Sequence, residues 1–517
     1  MFLNPIKMPS SGKNSHHGKT PQDHSFQEFL AELQKRMQNV FRKQVDPDRQ
    51  TLPRGIPEGV LNEIMPLNPL SVCIPVEYGG RGGRIDEILA MLSAASYESL
   101  ALSLTLGINS GLFIQPVVKY ALEDVKGDIF RRFMNERNMG GLMITEPDFG
   151  TDALSMQTCF SGDDNNHYHI RGTKHWAGLT GAADYWLLTA REMAANGELK
   201  RDIDFFICDT TMPGQQIRVE ELFDNLGLHQ IPYGRNLLDV RIPASHRLIP
   251  KTTGIKLLLD LLHRSRLHFP GMALGFIHRM MDEAFDHCRH RYAGGQSLIK
   301  YDQVQQRLAR LQASFTTASA MCAYSSHKAG LEHDLSASGM VANSMKSFVT
   351  DLMQEAAQSL VQLTGAKAYR FSHIGGRGIV DSRPFQIFEG SNDMLYAQVG
   401  EGLIKRMKKA REFNLFGFLK HYRHTEHAAR GLQSLLEFEL TTQLPQRKLV
   451  ELGKVMSRIV SMELVIALSS RGFRQDLIDN ALVELRHDIS GLLGAFNSQF
   501  LPAIVDDYKD HSSWFAL

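Results

Sequence analysis

Between residues 140 and 245 the apolar pattern of this chain changes period, then changes back. GLMIT, YHIRGTKHW, YWLLTA, DFFICD, QIRVEEL and RNLLDVRIP are short runs rich in β-branched and aromatic residues, punctuated by Gly, Asp and Asn. They predict an antiparallel β domain of six or more strands. On both sides the spacing is helical. Residues 25–140 read as helices, and LSAASYESLALSLTL is apolar all round, as a buried helix is. Segments 256–292, 301–332, 338–366 and 391–412 are long, with short connections, which predicts an antiparallel bundle. Beyond 413, about a hundred residues of amphipathic helical pattern follow, interrupted at Pro445 and Gly472. The expected fold is α+β. Its predicted divisions are a disordered leader (1–24), an N-terminal helical domain (25–140), a middle β domain (141–250), a helical bundle (251–412) and a helical extension (413–517).

Composition removes several classes of function. Lys and Arg number 57 against 56 Asp and Glu, so nothing in the net charge attracts nucleic acid or anionic membrane. Cys73, Cys159, Cys208, Cys288 and Cys322 are scattered with no Cys-x-x-Cys pair, which argues against a disulfide framework and a zinc site. A reducing, cytoplasmic compartment is the expectation, the mitochondrial matrix in a eukaryote. The N-terminus lacks the apolar run of a secretory signal. Residues 99–118 carry no charge but include Asn109, Gln115 and Pro116, so a buried helix is expected there rather than a membrane span. VEYGGRGG reads as a glycine-rich turn rather than a phosphate site. HYRHTEH spaces His421, His424 and His427 three apart on an expected helix, a polar face rather than a metal site; DHCRHR reads the same way, and no metal is expected.

FQIFEGSNDM raises a sharper question. Glu389 follows Phe385, Ile387 and Phe388, and burial disfavours an ionised carboxylate. Taken alone, the stretch is best read as a helix start, with a solvated Glu favoured by the helix dipole and Ser391 or Asn392 capping. The competing reading is a carboxylate held in apolar surroundings to move a proton.

The order of domains and five local motifs resemble the acyl-CoA dehydrogenases over residues 30–410. MITEPDFGTD (143–152) is similar to Val-Thr-Glu-Pro-x-x-Gly-Ser-Asp, and GTKHWAG (172–178) to Gly-x-Lys-x-Trp-Ile-Thr/Ser. GLHQIPYGRNLLDVRIP resembles the stretch closing the family's β domain, HRSRLHFPGMALG the start of its first bundle helix, and QIFEGSND its Tyr/Phe-Glu-Gly-Thr motif. The resemblance implies FAD as cofactor and removal of an α proton and a β hydride from an acyl thioester, giving a 2-enoyl thioester.

It also implies roles by position. Glu389 matches the catalytic base, with Gly390 giving close approach to substrate and the Glu389 amide binding the thioester oxygen. One branch carries its base on the first bundle helix, but the matching residue here is Ser265, which leaves Glu389. Arg266 matches an arginine that orients or balances the carboxylate at the substrate. Thr145, Gly150, Thr151, Trp176, Gly178 and Ser391 match flavin contacts, with Thr151 also meeting substrate. Gly178 stands where the family has a Thr or Ser hydroxyl for flavin N5, so a backbone N–H or Thr180 is expected to substitute. Arg291, Gln303, Gln362 and Gly365 match contacts to the adenine half of FAD across a subunit interface, implying a homodimer or homotetramer. The Arg291 motif lacks its Phe, and Ala366 replaces the second glycine of a pair.

The extension resembles that of the very-long-chain branch, which implies a long fatty acyl-CoA or carrier-protein substrate, electron-transfer flavoprotein as acceptor, and peripheral membrane contact through the extension. A DNA-binding branch is also extended, but residues 411–517 hold 12 Lys/Arg against 13 Asp/Glu, unlike a DNA-binding surface. An acyl-CoA oxidase and a redox-weak scaffold remain open.

Overall fold

A computed structural model describes residues 25–44, 54–163, 165–498, 502–508 and 510–511. The predicted leader lies outside the described residues. The N-terminal helices are α1 (Phe26–Asn39), α2 (Glu58–Ile64), α3 (Ile85–Glu98), α4 (Leu100–Gly107), α5 (Gln115–Tyr120) and α6 (Glu123–Glu136). A π-helical turn, Ile108–Ile114, joins α4 to α5. Within the resulting helical run Leu100–Tyr120, 89% of the residues in its most apolar 18-residue window are buried, as the core-helix reading expects. VEYGGRGG is a turn. Gly79 has φ +85°, and a Cβ on Gly80 would lie 2.1 Å from the Ile74 carbonyl oxygen.

The middle domain holds β1 (Gly140–Met143), β2 (Cys159–Gly162), β3 (His167–Gly178), β4 (Tyr185–Glu192), β5 (Asp204–Asp209), β6 (Arg218–Leu222) and β7 (Tyr233–Pro243). The order is β1-β4-β2-β3-β7-β6, with β5 beside β4. The β domain is as expected, but two pairings, β1 with β4 and β2 with β4, are parallel. Alternation within a strand does not reveal its neighbour's direction. The long β3–β7 pair runs from His167↔Pro243 to Gly178↔Tyr233 and slips between His175 and Ala177, which bulges Trp176 out of the ladder.

The bundle is α7 (Gly254–Arg266), α8 (Phe269–His290), α9 (Asp302–Lys328), α10 (Gly339–Thr364), the short α11 (Ile374–Ser382) and α12 (Asn392–Ala410). The single predicted helix 256–292 is broken at Leu267–His268. Pro270 has no amide hydrogen for the Arg266 carbonyl, so the helix restarts there.

The extension holds α13 (Leu415–Leu419), α14 (Glu426–Gly431), α15 (Gln433–Leu436), α16 (Gln446–Ala467) and α17 (Gln475–Asn497). Helix α16 packs on α12, α10 and α9, and α17 on α16 and α9. At the α12–α16 crossing a Cβ on Gly453 would lie 1.9 Å from the Tyr396 carbonyl oxygen, and one on Gly400 2.4 Å from that of Leu449. Two glycines therefore allow the backbones to touch. HYRHTEH is not one helix: His421 and His424 lie in a turn, and only His427 is on α14. No cluster of three metal-ligating side chains occurs among the described residues.

Candidate active site

Glu389 lies on the loop between the turn Arg383–Gln386 and α12, in the left-handed region at φ +52°, followed by Gly390 at φ +93°. A Cβ on Gly390 would crowd Met394 Cε at 2.8 Å and Leu395 Cδ2 at 2.9 Å, but it is the left-handed conformation that favours glycine there. Two buried cations hold this kinked backbone. Arg266 donates from Nη2 (2.7 Å) and Nε (3.1 Å) to the Glu389 carbonyl. Lys346 donates from Nζ to the Gly390 carbonyl at 2.9 Å and to Asn392 Oδ1 at 3.1 Å. Burial pushes the Lys346 ammonium down to about 7.

The carboxylate itself is differently placed. Ser265 Oγ donates to Glu389 Oε1 at 2.8 Å. Oε2 is sealed from solvent and has no hydrogen-bond partner among the described residues. Burial raises the carboxyl above its ordinary range; Ser265, Arg266 and Lys346 oppose that rise without cancelling it. Phe385 and Phe388, which precede Glu389 on this loop, pack with Phe269 of α8, with ring centroids 5.0 to 5.9 Å apart. Ile387, expected with them, is exposed. The Glu389 amide N–H makes no hydrogen bond among the described residues, so it is free to meet an oxyanion.

One reading of the sequence needs correction. Ser265, expected only as the vacated rival for the base, donates to the Glu389 carboxylate. Arg266, expected to orient or balance that carboxylate at the substrate, is 5% exposed; it holds the Glu389 carbonyl, its charge lowers the Glu389 carboxyl, and its Nη1 donates to Asn343 Oδ1 at 2.7 Å. The helix start is also built differently. Ser391 occupies the N-cap position but its side chain makes no cap bond. Asn392 instead donates to Asp351 Oδ1 at 2.7 Å and to the Ser347 carbonyl at 2.9 Å.

Asp351 ties the loop to the extension. It also accepts from Gln386 Nε2 (2.7 Å) and the Tyr396 hydroxyl (2.6 Å). Arg458 of α16 donates to that hydroxyl at 3.2 Å and lies 4.1 Å from the Phe348 ring centroid.

The β domain faces this loop with Tyr233, a half-buried phenol whose ionisation is opposed by burial and by Glu389. Sequence reasoning passed over Tyr233, Lys346 and Asn343. The register Gly178↔Tyr233 puts that ring against Gly178, where a Cβ would lie 3.3 Å from Tyr233 Cε1 and 2.9 Å from Ile108 Cδ1. The space of the missing hydroxyl residue is therefore filled. Thr180 does not replace it: its hydroxyl donates to the Ala177 carbonyl at 2.7 Å and accepts from Asn236 at 3.0 Å, and the residue is buried.

The other residues matched to flavin fit such a group. Trp176, bulged out at φ +56°, is 53% exposed, with its ring 4.5 Å from Phe223. An aromatic this exposed is an open platform for a planar ring. Thr145 takes the His175 amide on its carbonyl at 2.8 Å, which ties the TEPDFG loop to β3. Glu146 braces that loop from inside. It accepts from Thr158 (2.9 Å) and Lys174 (3.0 Å), and burial pushes Lys174 down to about 8. Gly150 and Thr151 are exposed, with open space at Gly150.

Arg291, Gln303, Gln362 and Gly365 are not beside Glu389. They are exposed where α8 ends, α9 begins and α10 ends, about 24 Å along α10 from Lys346. Gly365 has φ +74° with open space around it, and exposed Tyr292 and Tyr369 adjoin this end.

The comparisons match this architecture. Family models of the acyl-CoA dehydrogenase N-terminal, middle and C-terminal domains match residues 27–137, 141–239 and 252–404. The chain belongs to the acyl-CoA dehydrogenase family, FAD-dependent oxidoreductases acting on CH–CH bonds. It is 24% identical to the short-chain specific acyl-CoA dehydrogenase of Megasphaera elsdenii, over 67% of this chain and 90% of that protein. It is also 24% identical to the rat very long-chain specific enzyme, over 84% of this chain and 66% of the relative. Among solved structures, Bacillus anthracis acyl-CoA dehydrogenase complexed with FAD superposes with a TM-score of 0.73 at 17% identity, covering 92% of this chain and 89% of that one. Butyryl-CoA dehydrogenase from Megasphaera elsdenii gives 0.63 at 21% identity, covering 73% and 98%.

Proposed function

We propose that this chain dehydrogenates the C2–C3 bond of an acyl thioester, with Glu389 as the base that takes the C2 proton. The observation that carries this reading is the Glu389 carboxylate: one oxygen held by Ser265, the other buried and unpartnered among the described residues. A carboxylate raised by burial is a stronger base at neutral pH than a solvated one. The free Glu389 amide receives the thioester oxygen as charge builds there. Arg266 and Lys346 fix the two carbonyls that follow, so the amide and the carboxylate keep their directions through proton transfer.

Trp176, Thr145, Gly150, Thr151, Gly178 and Ser391 would hold FAD on the β-domain side. Arg291, Gln303, Gln362 and Gly365 of a second copy would hold its adenine half, since they lie too far from Glu389 to serve the same site. FAD held there would supply the acceptor for the hydride leaving C3, giving the trans-2-enoyl thioester. Electron-transfer flavoprotein is the acceptor this reading implies.

The test is anaerobic flavin bleaching of purified, FAD-loaded protein by acyl-CoA, in wild type and Glu389→Gln. Wild type bleaches and the variant does not. Equal bleaching by both removes Glu389 as the base. Peroxide formed in stoichiometric amount in air makes the protein an oxidase.

A further inference from the structure

Seven cations crowd one short stretch of a chain whose charges balance overall. Lys405, Arg406, Lys408, Lys409, Arg411, Lys420 and Arg423 fall within residues 405–425, against a single acid, Glu412. None of them forms an ion pair among the described residues. The acids of the extension are engaged elsewhere: Glu484 and Asp488 with Arg310 of α9, Glu463 with His427, and Glu426 with Arg430. The even balance of 411–517 therefore conceals one end that is strongly basic.

Two of the seven meet a further cation around His424, in the turn between α13 and α14. The His424 ring packs against Tyr422 at 5.4 Å and against Tyr324 of α9 at 6.3 Å. Lys328 follows Tyr324 by one helical turn, about 6 Å along α9. Arg423 donates from Nε to His424 Nε2 at 2.8 Å, and its two terminal nitrogens make no hydrogen bond among the described residues. Arg406 enters from α12. It is half-buried, and its one side-chain hydrogen bond runs from Nη1 to the Gly402 carbonyl of its own helix, at 3.0 Å. Burial, Arg423, Arg406 and Lys328 together push the His424 imidazolium down to about 4, and no carboxylate opposes them. Lys408 and Lys409 complement the dipole at the end of α12 and need no other partner. Arg406, a turn earlier, and Arg423, outside any helix, have no such role.

We propose that the notch between the end of α9, α12 and the turn before α14 binds the phosphate of a phosphate monoester, held by Arg406, Arg423 and Lys328. Two guanidinium groups with unused N–H pairs suit the paired oxygens of a phosphate. A monoester carries about −1.5 to −2 charges at pH 7, against one for a carboxylate, which answers three cations without an acid among them. Neutral His424 accepts the Arg423 Nε–H and so turns the other end of that group outward. Arg406 follows Asn392 by about 21 Å along α12, so this notch is separate from the site at Glu389 and does not depend on the role proposed for it.

The experiment uses the full chain loaded with FAD. Calorimetry follows titration with inorganic phosphate at an ionic strength fixed by chloride. The expected result is saturable binding that Arg406→Gln and Arg423→Gln each weaken about tenfold or more. Lys409→Gln, which removes a charge from the same run but not from the notch, leaves it unchanged. Absence of saturable binding overturns the inference, as does wild-type affinity in both arginine variants. An equal loss in Lys409→Gln also overturns it, by showing a diffuse field instead of a site. Flotation with phosphatidylcholine vesicles, with and without phosphatidate, then separates the sources. Retention on phosphatidate that phosphate displaces assigns the notch to a lipid headgroup; phosphate binding without retention assigns it to a soluble monoester, and either result sustains the site. Retention on duplex DNA that phosphate fails to displace overturns the monoester reading.

Discussion

Replacing Ser265 by Ala tests how the base is tuned. Ser265 Oγ is the one side-chain donor to the Glu389 carboxylate among the described residues, at 2.8 Å, and Oε2 has none. A hydrogen bond to a charged group is worth about 1.5–3 kcal/mol. It favours the ionised carboxylate, so its loss raises a pKa that burial has already lifted. At about 1.4 kcal/mol per unit, the change is about one to two pH units. The base works ionised, so kcat/KM rises with pH through this pKa. In Ser265→Ala the rising limb therefore moves about one to two units higher, while the plateau above it is kept. Stopped-flow bleaching of the flavin across pH, wild type beside variant, measures both limb and plateau. A limb that stays in place while the plateau falls would falsify tuning by Ser265 and make the residue purely structural.

The sign of the Glu389 shift gives a second expectation. A raised folded pKa stabilises the protein below the unfolded value near 4.5, and this is lost as pH climbs through the folded value. Glu389→Gln should therefore raise Tm at neutral pH and not at pH 4, which calorimetry reads; a lower Tm at neutral pH contradicts a desolvated base. Lys346 is shifted the other way, from 10.5 to about 7, so its contribution is present above 10.5 and fades as pH falls through 7. Lys346→Met should flatten that slope, cost about 1–3 kcal/mol by orphaning the Gly390 carbonyl, and lower kcat more than it raises KM; denaturation and kinetics check both. Lys174→Met leaves Glu146 buried and uncompensated and should cost about 3–5 kcal/mol in urea denaturation, against little for the double variant with Glu146→Gln. Gly453→Val should push α16 off α12 and speed proteolysis after residue 411, with unchanged proteolysis refuting the close crossing.

Much of this was legible because it is local. The change of period at 140 and its return after 245 mark the β domain, and the motif around Glu389 marks the residue proposed as the base. What was hidden depends on contacts between distant residues. Ser265 and Glu389 are 124 residues apart, and no local pattern shows that a serine on one helix faces a carboxylate on a later loop. Lys346 looked like any helix lysine until α10 placed it under Gly390. Trp176 was found as a motif residue, but its outward turn comes from a slip against β7. Ile387 failed as a packed residue because the turn before Glu389 has no fixed period, so apolar character did not fix its direction. HYRHTEH misled for the opposite reason: even spacing suggested a helix where the chain turns.

The clamp from Arg458 through Tyr396 to Asp351 has a consequence for biosynthesis. Tyr396 in its middle and Arg458 at its far end are 62 residues apart, and Arg458 lies in the extension. On the ribosome, the loop bearing Glu389 emerges with its carboxylate, its glycine and its phenylalanines already made, but without this brace. The active centre reaches its final rigidity only when α16 has been translated and has settled into the groove opened by Gly400 and Gly453. A nascent chain halted between these points would carry the residues proposed for the reaction and still lack the means to hold the base still.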